Sequence, residues 1–66
     1  MSWELYEVWA VDEDNHESLI DTTQSLKEAQ EMASATLSED DSVIEVIIYK
    51  ENDEGDLEEI ERFQGL

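Results

Sequence analysis

The chain has 66 residues, 20 of them acidic and 3 basic, for a formal net charge of −17. A single small domain with a thin core is expected from that length. The absence of cysteine excludes disulfides and thiolate metal sites, and a single histidine leaves nothing from which to build a structural zinc site. The acids are spread evenly, with nine in residues 1–33 and eleven in residues 34–66. A surface of that sign repels phosphate backbones and anionic lipid, so no direct nucleic-acid and no membrane partner is expected. It also repels itself, so added salt should stabilise the fold. No run approaches the ~18 apolar residues of a membrane span and the N-terminus lacks a basic region, so a cytoplasmic protein is expected. The aromatic residues and the strand periodicity argue against disorder.

The first strand is expected over residues 3–11, where Trp3, Tyr6, Val8, Trp9 and Val11 are strand formers. Asp12 to His16 form a turn cluster, and residues 17–22 read as a more polar second strand. A helix follows over residues 26–38. Ser25 is its N-cap and Glu28 sits three positions later, the capping-box spacing; Leu26, Ala29, Met32 or Ala33, and Leu37 recur at helical spacing. Residues 43–49 form the longest β-branched run of the chain and are expected to be its central strand.

Residues 57–63 read two ways. Asp56 could cap a short helix, with Leu57, Ile60 and Phe63 on one face. An internal repeat favours a strand: with an offset of 40 residues, Val8-Trp9 falls on Ile48-Tyr49, Asp12 on Asn52, Asn15 on Gly55 and Ile20 on Ile60. Both halves then contain a hairpin with a three-residue loop ending in Asn15 or Gly55, residue types suited to the left-handed region. That register sets Val8 opposite Ile20 and Ile48 opposite Ile60.

The expected fold is therefore α+β: hairpin, helix, hairpin (ββαββ), with one helix on one face of a four-stranded antiparallel sheet of order 2-1-3-4. The polar second and fourth strands suit the edges. Even-numbered positions (Tyr6, Val8, Ala10, Ile20, Ile44, Val46, Ile48, Ile60) carry few charges and should face the helix. Odd-numbered positions put Leu5, Trp9, Val11, Leu19, Val43, Ile47, Tyr49, Leu57 and Phe63 on the other face, mixed with Glu7, Glu45, Glu59 and Glu61; with no helix left to cover it, Leu5, Trp9, Leu19, Val43, Ile47 and Tyr49 make more apolar surface than a small monomer usually exposes. Long Glu stems, Trp3 and Leu66 could shield it; otherwise it is a candidate partner-binding surface, for a second copy of the chain or for another protein.

The acids suggest a second feature. Asp12, Glu13, Asp14 and Glu17 at the first turn, with Glu39, Asp40 and Asp41 after the helix, should share one end of the sheet as an acidic pole. A basic protein is the partner such a pole would suit. A solvated, solubility-giving surface is the plainer interpretation. Specific calcium binding is not expected: Asp12 and Asp14 fit the first and third positions of an EF-hand loop, but His16, Glu17 and Thr23 break the fifth, sixth and twelfth. His16, the only group titrating near neutrality, lies in a polar turn with no nucleophile pattern nearby. No cofactor and no enzymatic activity are expected. The leading expectation is a protein-protein interaction module working through the sheet face. A DNA-mimic inhibitor of a basic nucleic-acid-binding protein and a salt-adapted domain with no charge-specific partner are the alternatives.

Overall fold

Two hairpins joined by a helix form the molecule. A computed structural model describes residues 4–65; Trp3 and Leu66, considered above as shields, lie outside them. The strands are β1 (Leu5–Asp12), β2 (Glu17–Thr23), β3 (Val43–Glu51) and β4 (Leu57–Gln64), with helix α1 (Leu26–Glu39) between β2 and β3. The sheet is antiparallel throughout, in the order β2-β1-β3-β4. Residues 57–63 are thus strand, and the fold is the one expected.

The two turns are built alike. Asn15 and Gly55 are the described residues with positive φ, at 64° and 87°. The N–H of Asn15 donates to Asp12 O (3.0 Å) and that of Gly55 to Asn52 O (3.0 Å). Asp12 Oδ1 accepts the backbone N–H groups of Asp14 and His16 at 2.9 and 3.0 Å, while Asn52 Oδ1 accepts those of Glu54 and Asp56 at the same two distances. One side-chain oxygen at the loop entrance therefore satisfies two loop donors in each hairpin. The 40-residue repeat is real in backbone terms.

The register leaves each turn as expected and then slips. Trp9 pairs with Leu19, but Val8 pairs with Asp21; Tyr49 pairs with Glu59, but Ile48 pairs with Glu61. Ile20 and Ile60 are the extra residues of two bulges at equivalent places. A third bulge lies between β1 and β3, where Val11 faces Glu45 and Asp12 faces Val43, leaving Ile44 unpaired with β1. An extra residue reverses which face the following positions occupy. This corrects several expectations. Ile20, Ile44 and Ile60 are not core but 41%, 42% and 41% exposed, whereas Val43 and Phe63 pack with the helix-side cluster.

That cluster is Tyr6, Val8, Val46 and Ile48 from the central strands with Ala29 and Ala33 from α1; Leu26, Met32 and Leu37 pack around it. The helix crosses chiefly β1 and β3. Ala29 and Ala33 are fully buried, so the helix backbone lies close to the sheet. Ile48, Val8 and Val46 are the largest fully buried side chains, each contributing about 1.5–3 kcal/mol by leaving water. Fourteen residues are too few for a helix stable alone, so this packing holds it.

The N-cap forms by half of the expected box. Ser25 Oγ accepts the Glu28 N–H at 3.3 Å, but Glu28 turns to the Thr23 hydroxyl (2.8 Å), and the Ser25 N–H goes to Thr23 Oγ1 (3.2 Å). Thr23, the buried polar residue of the core edge, is thereby satisfied. Among the described residues no helix is long and apolar enough to cross a membrane.

Candidate functional site

The sheet face opposite α1 receives alternate residues of all four strands. Its centre is Ile47, only 3% exposed although no helix covers it. The face covers itself there. Trp9 of β1 pairs with Ile47, and Tyr49 stands diagonally across, the two rings meeting edge to face at 6.5 Å and 87°. Such a pair contributes roughly 0.5–1.5 kcal/mol beyond its buried area. Each polar tip is tied down by a carboxylate: the Trp9 indole N–H donates to Glu7 Oε1 (3.0 Å) and the Tyr49 hydroxyl to Glu17 Oε1 (3.2 Å). Partial burial, then the Glu17 charge, raises the Tyr49 pKa above its ordinary value. The phenol stays a neutral donor at any physiological pH.

On the other side of Tyr49 lies Arg62. Its Nη1 donates to Glu45 Oε1 and its Nη2 to Glu59 Oε1, both at 2.6 Å, with Nε 3.4 Å from Glu59 Oε2. These bonds hold the Glu59 carboxyl below its usual range and the guanidinium above its own. The Gln64 side-chain amide donates a hydrogen bond to Glu45 Oε2 at 3.2 Å. The shielding expected from charged stems is therefore partly realised: Val11 and Ile47 are buried on this face.

What stays open flanks the aromatic pair. Leu19, opposite Trp9 on β2, is 49% exposed, and Leu57 on β4 is 43% exposed. Trp9, Glu17, Tyr49 and Leu57 line a shallow depression of about 280 Å³. Of the expected surface residues, Trp9, Leu19, Ile47 and Tyr49 come together here. Leu5 is half-buried at the far end of β1, paired with Glu51. Val43 does not belong: the bulge at Ile44 turns it toward the helix. Sequence reasoning missed Arg62 and Leu57. Arg62 has even parity and reaches this face only because of the bulge at Ile60. Leu57 was placed on the odd face by its position but was not counted among the candidate contact residues.

The acidic pole also forms. Asp12 pairs with Val43, which brings the first turn and the helix-to-strand turn to one end of the sheet. Its members do not converge, however. Asp12 caps its own turn, and Asp40 Oδ1 accepts the Ser42 hydroxyl and N–H at 2.6 and 3.0 Å. Those bonds lower both carboxyl pKa values, through the His16 N–H for Asp12 and the Ser42 hydroxyl for Asp40. Glu13, Asp14, Glu39 and Asp41 are exposed, and Glu17 serves Tyr49. His16 Nδ1 stands 4.0 Å from Asp12 with its side chain largely in solvent. Among the described residues no group of three or more acids or histidines is arranged to hold a metal ion.

Comparison of the chain with protein-family models, with curated proteins and with solved structures finds no match in any of the three.

Proposed function

We propose that the chain is a non-enzymatic protein-binding module whose contact surface is the sheet face opposite α1. One observation carries the proposal: two leucines from opposite edge strands, Leu19 and Leu57, remain exposed on either side of the Trp9–Tyr49 pair. Aromatic anchors ringed by apolar and charged side chains have the make-up of a binding hot spot and its rim. The partner best suited to it is basic, because the rim is made of Glu7, Glu17, Glu45 and Glu59 and the whole chain carries −17. A second copy would set −17 against −17, so self-association through this face is expected only where salt screens the charge. A cytoplasmic setting belongs to the same proposal and is tested by cell fractionation.

Capture from native lysate, compared across variants, tests the reading. Leu19→Ser/Leu57→Ser should lose the partner that the unmodified chain retains, while Asp40→Lys/Asp41→Lys should keep it. Loss confined to the pole variant and reversed by salt overturns the sheet-face reading in favour of charge mimicry. That alternative has less support, since Asp12 and Asp40 already spend an oxygen each on their own turns. Light scattering at high concentration and low salt should give the mass of one chain.

A further inference from the structure

The two hairpins present the same backbone to the open face but different charges. Under the 40-residue offset Val8 pairs with its own counterpart Ile48, so the halves are related by an approximate two-fold axis through the middle of the sheet. Trp9 corresponds to Tyr49 and Glu17 to Leu57, so the depression between them is bounded by two such pairs. Thr22 corresponds to Arg62. In the second hairpin, Arg62 brings a guanidinium to Glu45 and Glu59, at 2.6 Å from each. In the first, Thr22 pairs with Glu7, and the groups bonded to Glu7 and Glu17 are the neutral indole and phenol. The other two basic residues are engaged elsewhere or distant: Lys50 pairs with Glu4 at 3.3 Å, and Lys27 is on α1.

We propose that the right-angled corner of Trp9 and Tyr49, where the two hairpins meet with Glu17 beside them, receives an arginine side chain presented by the protein partner. The proposal rests on the docking-face reading above and names the chemistry that the partner brings. Two aromatic rings at 87° offer a π face to a cation, and carboxylates on either side accept its N–H groups. A guanidinium meets both demands because it is planar: it stacks while hydrogen-bonding in its plane, which an ammonium does not. The face already binds one such group in Arg62, by carboxylates alone. The two carboxylates that hold Arg62 fall on Leu5 and Leu19 in the first hairpin; the corner instead offers Glu7 and Glu17, bonded only to the neutral tips of Trp9 from the first hairpin and Tyr49 from the second.

Titration of the isotope-labelled chain with a blocked Gly-Gly-Arg-Gly-Gly peptide, followed by NMR, tests this. The same peptide carrying citrulline, at matched ionic strength, isolates the charge. The Trp9 indole N–H and the Tyr49 ring resonances should shift saturably with arginine, and at least roughly threefold less with citrulline, the change expected when one exposed ion pair is removed. Glu17→Gln should weaken the arginine response by a similar factor. Thr22→Arg, at an exposed position, supplies the missing cation internally and should suppress it. Equal responses to the two peptides overturn the proposal, as does an unchanged response in Thr22→Arg. Shifts confined to the acidic turns with the Trp9 indole unmoved show counterion association and also overturn it. The docking face stands or falls separately: loss of captured partner in Leu19→Ser/Leu57→Ser without arginine selectivity removes the arginine and leaves the face. Arginine selectivity with capture indifferent to those leucines retains the corner and removes the leucine-flanked face.

Discussion

The two hairpins of this protein share a backbone and differ in surface. Both end in a three-residue loop, both hold it with one oxygen of Asp12 or Asn52, and both carry a bulge at an isoleucine. Above that common frame, Glu17 answers Leu57, Leu19 answers Glu59, and Thr22 answers Arg62. A few residues with local roles, set by φ and by hydrogen bonding, are enough to specify the two loops. The outward positions are free of that duty, so their chemistry is where the halves diverge.

The comparison is broken most severely at its shared centre. Ile48→Ala should cost about 3 kcal/mol, and Val8→Ala somewhat less, because both side chains are fully buried and α1 cannot follow the cavity. In a domain of this size that is much of the total stability, and denaturant titration reads it directly. The turns come next, and unequally. Gly55→Ala should cost about 1 kcal/mol, since φ of 87° disfavours a Cβ. Asn15→Gly should change stability by no more than about 0.5 kcal/mol, because glycine accepts the same left-handed φ.

Surface charge gives a smaller effect. Thr22→Arg should raise Tm by a few degrees by adding to the first hairpin the cation the second already has, and added salt should raise Tm of the unmodified chain by relieving the −17 self-repulsion. A thermal scan showing no rise with salt removes that account.

The smallest effect is the most specific. Asp12→Asn copies Asn52 and keeps the oxygen that caps the turn, so Tm near neutrality should be almost unchanged. The two proteins should part in acid. The folded pKa of Asp12 lies below its ordinary 3.8, so its ionised form contributes stability that is complete above the ordinary value and disappears as pH falls through the lowered one. Melting curves from neutrality down to about pH 2 should therefore show the unmodified chain losing stability relative to Asp12→Asn only below the usual carboxylate range. Asp40 and Glu59 have the same sign.

Much of the architecture was legible in the residues themselves. Ser25 before a helical repeat, Asn15 and Gly55 at matching loop positions, and polar edge strands around β-branched ones lead to hairpin, helix, hairpin in the order seen, because each of those signals acts over a few neighbouring residues. The uncovered face was legible as well, since one short helix covers only one side of a sheet. Strict alternation could not reveal the three bulges, because where a ladder slips depends on how the side chains of paired strands fit across the sheet. Those slips put Val43 and Phe63 under the helix, left three isoleucines in solvent and carried Arg62 to the open face. Local chemistry determined the elements and their order; only packing across the sheet decided which side chains meet on the face where we place function.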